Sequence, residues 1–142
     1  MIADAIPELE SDPTLDFRGE VLICDDEPDI CESLALFVRK RGYDPVVTHM
    51  GSECVSLAMK QRPAAILLDV NLPDLSGLDV CAQLSDAMQT REIPIIILSA
   101  SGEANMVQQV RRCGARFYVR KPYDPNTVVA ILEQAIQDSQ SW

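Results

Sequence analysis

Four short apolar runs, each closing on a polar residue, constrain this chain more than any other feature of it. Residues 21–24 (VLIC) stop at Asp25-Asp26-Glu27, residues 64–68 (AAILL) stop at Asp69, residues 94–98 (PIIIL) stop at Ser99, and residues 117–119 (FYV) lead to Arg120-Lys121-Pro122. Apolar runs of this kind, without polar alternation, are the pattern of strands buried on both faces of a parallel sheet. A weaker strand is expected over 45–49. Turn chemistry follows Asp69, in Pro73, Asp74, Ser76 and Gly77, and ends that strand.

Helical spacing fills the intervals. Pro28 suits a first helical turn, Ile30, Leu34, Phe37 and Val38 recur on one face, and Gly42 stops the segment. Val55, Ala58 and Met59 predict a helix over about 52–61. Leu78, Val80, Cys81, Leu84 and Met88 predict a third. Met106, Val107 and Val110 predict a fourth over 103–113, stopped by Gly114. Asp124 caps a fifth, with Pro125 at its first position and Val128, Val129, Ile131, Leu132, Ala135 and Ile136 inward. The register is strand-helix five times, which requires an α/β fold with a five-stranded parallel sheet, because right-handed crossovers return every strand in the same direction. In the doubly wound, flavodoxin-like order 2-1-3-4-5 the first and third strands are neighbours, and the ligand crevice lies at their carboxyl ends.

Asp25, Asp26 and Asp69 then meet in that crevice, flanked by Ser99 and Lys121. Three carboxylates about 5 Å apart repel one another by on the order of 3 kcal/mol per pair at an effective dielectric near 20. A hard divalent cation with oxygen ligands offsets this, and Mg²⁺ keeps positions open for water or a phosphoryl oxygen. Lys121 can face a phosphate as a point charge and Ser99 can donate a hydrogen bond to it. With Asp69 as nucleophile, phosphoryl transfer yields an acyl phosphate. Each group alone also has an ordinary structural role, as a helix cap, a turn former or a solvated lysine. Their shared position at successive strand ends is what those roles leave unexplained.

Composition narrows the partners. The 142 residues suit one domain, and a net charge of −10 argues against direct binding of nucleic acid or an anionic membrane. Residues 1–18 carry scattered acids, Pro7 and Pro13 with weak periodicity, and are expected to be an acidic, disordered tail. Five single cysteines and the lone His49 lack metal-ligand spacing, which points to reduced, core-filling thiols in a cytoplasmic protein. There is no secretory leader pattern and no run of 18 apolar residues.

The motifs DDEP (25–28), LLDVNLP (67–73) with Gly77, LSA (98–100) and YVRKP (118–122), in that order, resemble the receiver domain of two-component response regulators. The resemblance covers about 20–138. It implies a domain over 19–139 with a loose 140–142, and Asp69 as acceptor of phosphate from a histidine kinase or histidine phosphotransfer protein. It further implies Mg²⁺ held by Asp25, Asp26, Asp69 and the backbone carbonyl of Asn71, with Ser99 and Lys121 on the phosphoryl group. Tyr118 would turn inward as Ser99 moves, and the Lys121-Pro122 bond would be cis. Output is expected through the 103–138 face, to a second copy or a downstream protein, with no enzymatic activity beyond the domain's own phosphorylation and dephosphorylation. No effector segment follows the last helix, so the expectation is a single-domain regulator or a receiver cut from a larger protein. Three rivals are weighed. An aspartate-nucleophile phosphatase of the haloacid dehalogenase type needs a general acid where Asn71 stands. A nucleotide-binding flavodoxin-like protein needs a Gly- or Ser/Thr-rich loop where the acids stand. An unphosphorylated receiver-fold adaptor has no use for the full set of groups.

Overall fold

A computed structural model of the chain describes residues 18–100 and 102–140. Its elements are β1 (Glu20–Cys24), α1 (Pro28–Lys40), β2 (Asp44–Thr48), α2 (Gly51–Gln61), β3 (Ala65–Asp69), α3 (Gly77–Asp86), β4 (Ile95–Ser99), α4 (Met106–Cys113), β5 (Phe117–Arg120) and α5 (Pro125–Gln140). The strands form one parallel sheet in the order β2-β1-β3-β4-β5. Register places Cys24 beside Leu68, Asp69 beside Leu98 and Ser99 beside Arg120, so the polar residues that end the apolar runs share one sheet edge.

Side chains alternate across the sheet. Val21, Ile23, Ala65, Leu67, Ile96 and Leu98 pack under α1 and α5, and Leu22, Cys24, Ile66, Leu68, Ile95 and Ile97 pack under α2, α3 and α4. Both faces are thus covered, which is why these strands read as continuous apolar runs. Each fully buried Leu or Ile contributes about 1.5–3 kcal/mol relative to an exposed one.

The sequence expectations fail at helix ends. Met88, expected on the inward face of the third helix, lies beyond its end at Asp86 and is 79 % exposed. Ala87 is extended, and the buried Thr90 donates its hydroxyl to the Leu84 carbonyl at 2.6 Å, closing the helix before Met88 is reached. α4 begins at Met106, not at 103, and Val107, expected inward, is 51 % exposed. Gly42 and Gly114 do stop α1 and α4, with φ of 89° and 92°.

Arg18, the last residue of the expected tail, is fastened to the body. Its N–H donates to the Gly42 carbonyl at 3.0 Å, its guanidinium pairs with Glu133 of α5 at 2.6 Å, and it lies over the Tyr43 ring. The rest of the tail expectation, residues 1–17, lies outside the described residues, as do 141 and 142; Gln140 belongs to α5. Among the described residues no helix is long and apolar enough to cross a membrane. All five cysteines are buried thiols.

Candidate functional site

At the carboxyl edge, β1 delivers Asp25 and β3 delivers Asp69, both buried, at 0 % and 2 % exposure. With the exposed Asp26 and Glu27 they bring four carboxylates to one point, one oxygen from each lying within 4.8 Å of the others. Lys121 enters from the far side, and its Nζ lies 3.1 Å from Asp25 Oδ2, 3.3 Å from Glu27 Oε2 and 3.4 Å from Asp69 Oδ2. The Lys121 backbone N–H donates to the Ser99 carbonyl at 2.8 Å, which fixes the lysine beside the buried end of β4, and its bond to Pro122 is cis. Asp25 is held in turn: its Oδ1 accepts the Glu27 N–H at 2.9 Å and its carbonyl accepts from His49 Nδ1 at 2.8 Å and Cys31 Sγ at 3.3 Å.

Asp25, Asp26, Asp69 and Lys121, singled out from sequence, therefore come together, and Ser99 sits buried at the adjoining strand end. Asn71 lies two residues past Asp69 on an exposed loop. Tyr118 is half-buried and packs against the layer that contains α4. Glu27 is the member that sequence reading missed. It reads as a helix-start acid, and only the approach of Lys121 across the fold makes it part of the cluster. His49, which lacks metal-ligand spacing in the sequence, touches Asp25 through the backbone.

The loop that carries the acids is shaped by contact. A Cβ at Gly77 would sit 2.0 Å from the Asp69 carbonyl oxygen, so the chain after β3 can fold back onto it only through glycine. The Gly77 N–H donates to the Val70 carbonyl at 2.7 Å, an antiparallel bridge joins Asn71 to Ser76, and the Ser76 hydroxyl caps α3 by accepting the Leu78 N–H at 3.1 Å. Asp74 ties the same loop to α2, accepting the N–H groups of Gly51 at 2.7 Å and Ser52 at 2.9 Å. Those donors at a helix N-terminus hold its carboxyl down to about 2.

Burial, and then the charge of Asp25, push the Asp69 carboxyl up to about 6, against the opposing pull of Lys121 and of the Asn71 backbone. Burial works against the charge on Lys121, but Asp25, Asp69 and Glu27 outweigh it and raise its pKa. Four carboxylates face one ammonium, and Asp69 Oδ1 is buried without a hydrogen-bond partner. An unsatisfied buried acceptor of this kind costs about 1–3 kcal/mol. The donors are all oxygen, clustered and in excess of positive charge, which fits a hard divalent ion such as Mg²⁺.

A parallel sheet in this order with acids and a lysine on its carboxyl edge defines the class: a flavodoxin-like α/β domain with the receiver fold. Residues 21–133 match the family model for the response regulator receiver domain, and the chain belongs to that family. It is 34 % identical over 123 residues to the DNA-binding response regulator MtrA of Mycolicibacterium smegmatis, covering 87 % of this chain and 53 % of that protein. Identity to the transcriptional regulatory protein SrrA of Staphylococcus aureus is also 34 % over 123 residues, covering 87 % of this chain and 50 % of that protein. The chain thus spans about half the length of the curated relatives it matches. Among solved structures, it resembles the signal receiver domain of a histidine kinase from Syntrophus aciditrophicus, with a TM-score of 0.80 at 27 % identity over 87 % of this chain and 94 % of that one. It also resembles the chemotaxis response regulator CheY4 of Vibrio cholerae, with a TM-score of 0.76 at 26 % identity over 82 % of this chain and 97 % of that one.

Proposed function

We propose that Asp69 is the phosphoacceptor of this receiver, taking its phosphoryl group from a phosphohistidine on a histidine kinase or phosphotransfer protein. The observation that carries the reading is the Asp69 carboxylate itself: it ends the central strand, its Oδ2 faces Lys121, and its Oδ1 is buried without a partner. Oδ1 is the oxygen available to form the O–P bond as the P–N bond of the donor breaks and the imidazole leaves with the bonding pair. Asp25, Asp26, Asp69 and the Asn71 carbonyl would hold Mg²⁺, which supplies Lewis-acid neutralisation of the phosphoryl oxygens. Lys121 pairs with the transferred group through its ammonium and Ser99 donates its hydroxyl. Glu27 holds Lys121 from the solvent side. The chain acts as a signalling domain and catalyses only its own phosphorylation and dephosphorylation. Output passes through the face made by α4, β5 and α5, to a second copy or a downstream protein, with Tyr118 turning as Ser99 engages the phosphoryl group.

The test is incubation with acetyl phosphate, with and without Mg²⁺, followed by intact-mass measurement. One base-labile phosphate should appear in the wild type with Mg²⁺ and be absent in Asp69→Asn and after chelation. A phosphate retained in Asp69→Asn overturns the assignment. Lys121→Ala should keep Mg²⁺ binding and lose the response of α4, whereas Asp26→Ala should weaken Mg²⁺ binding. Equal loss of Mg²⁺ affinity in both variants counts against the two roles.

A further inference from the structure

Four of the five cysteines, Cys24, Cys54, Cys81 and Cys113, lie in the single apolar layer between the sheet and α2, α3 and α4. Two of them stand across the junction of α3 with α4, separated by 32 positions in sequence. Cys81 Sγ donates to the Cys113 carbonyl at 3.2 Å, so the two residues abut, and Cys113 Sγ donates to the Val110 carbonyl at 3.1 Å. The helices approach closely here for a local reason. Gly114 ends α4 directly against α3, and a Cβ on it would meet Ser85 Oγ at 2.4 Å. Ser85 itself lies one turn beyond Cys81, its Oγ 4.0 Å from Cys81 Sγ.

The pair is also asymmetric in its access to solvent. A surface cleft of about 510 Å³, lined by Ala82, Gln83, Ser85, Asp86 and Arg112, reaches Cys113. Cys113 is 5 % exposed and Cys81 is fully buried behind it. The neighbouring Cys81 thiol is the main influence lowering the pKa of the Cys113 thiol; burial opposes it and the Ala115 backbone N–H assists. Cys81 is shifted the other way by the same contact and by burial. A thiol reached by the cleft with a second thiol buried behind it is the arrangement of an attacking and a resolving cysteine. Cys24 and Cys54 are both fully buried, and Cys31 lies on the opposite face of the sheet.

We propose that Cys81 and Cys113 form a reversible disulfide under hydroperoxide, stapling α3 to the C-terminal end of α4. The Cys113 thiolate attacks a peroxide oxygen and the O–O bond breaks. This leaves a sulfenic acid and hydroxide, which takes up a proton to become water. The Cys81 sulfur then attacks the sulfenic sulfur, its thiol proton leaving with the displaced hydroxide as a second water. Two thiols and one hydrogen peroxide thus become one disulfide and two waters, the thiols losing two electrons and the peroxide gaining them. To reach the S–S distance of about 2.05 Å the Cys113 side chain turns from the Val110 carbonyl toward Cys81, a rotamer change at the end of a short helix. α4 belongs to the face assigned above to output, so the staple restrains the element that phosphorylation is to move. That consequence rests on the proposed reading of Asp69; formation of the bond does not.

The experiment treats the full chain with hydrogen peroxide, blocks remaining thiols with N-ethylmaleimide and maps peptides without reduction. The expected product is a peptide pair joining Cys81 to Cys113, lighter by about 2 Da than the two thiol peptides and released by dithiothreitol. It should persist in Cys54→Ala and vanish in Cys113→Ser. Cross-linking confined to Cys24 and Cys54, over-oxidation of Cys113 without a cross-link, or no reaction each overturns the proposal, and the wild-type map is decisive whether or not a variant folds. Acetyl phosphate and Mg²⁺ are then added to the reduced and oxidised forms. If Asp69 is phosphorylated in both, amide shifts over 106–113 should be smaller in the oxidised form, and equal shifts overturn the restraint. If neither form is phosphorylated, the assignment of Asp69 fails while the peptide map still decides the disulfide.

Discussion

Asp69 is destabilised as an anion by its own position, and this makes its titration measurable. Its folded pKa of about 6 lies above the ordinary carboxylate value of 3.8. The folded state therefore binds more protons than the unfolded state between these values, and stability falls as pH rises through that window. In Mg²⁺-free buffer, Asp69→Asn should be more stable than wild type by about 1–3 kcal/mol above pH ~6.5, with the advantage shrinking towards pH ~4. Urea titrations at several pH values check it; a constant difference would mean that the gain comes from somewhere other than the carboxyl charge. Gly77 acts through space and not charge. Gly77→Ala places a methyl against the Asp69 carbonyl, a backbone atom that no rotamer change can move, and should cost roughly 2–4 kcal/mol in denaturant unfolding while slowing phosphorylation. At this scale sequence reading recovers the groups that end strands. It does not recover Glu27 or the grip of Asp74 on α2, because each depends on a partner that another element brings in.

Among the elements, α4 is the one least committed to the core. It is the shortest helix among the described residues, its inward residues are Met106, Val110 and Cys113, and Val107 is exposed beside polar Gln108 and Arg111. An element with few buried side chains is the natural place for a local charge change to bias two arrangements. Binding of a phosphoryl mimic with Mg²⁺ should therefore shift amides over 103–138 and alter self-association or partner binding measured by light scattering. Shifts confined to the acidic pocket, with no change in association, would place the output surface elsewhere. The strands were legible because burial on both faces leaves only apolar residues between polar ends. The helix termini were less so, since Thr90, 6 residues past Leu84, closes α3 through a side-chain bond that periodicity does not register.

Over the whole molecule, the first described residue already fastens to the last helix. Burial works against the Glu133 charge, but hydrogen bonds from Arg18 and Arg41 prevail and hold its carboxyl below the ordinary range. Arg18 is 45 % exposed, so Arg18→Ala should cost no more than about 1 kcal/mol and less at high salt. Deleting residues 1–17 while keeping Arg18 should move Tm by only about 3 °C, because that segment has no periodic apolar face; a larger loss in calorimetry would show that it contributes to the core. The sequence by itself determined the five strand-helix units, the parallel sheet, and the arrival of Asp25, Asp26, Asp69, Ser99 and Lys121 at one edge, since right-handed crossovers bring every strand's carboxyl end to the same side. Only the tertiary structure decided that Lys121 bonds three acids at once, that Asp69 keeps an oxygen without a partner, and that Cys81 meets Cys113. Those contacts depend on the register and close approach of elements far apart in the chain, which local residue patterns do not encode.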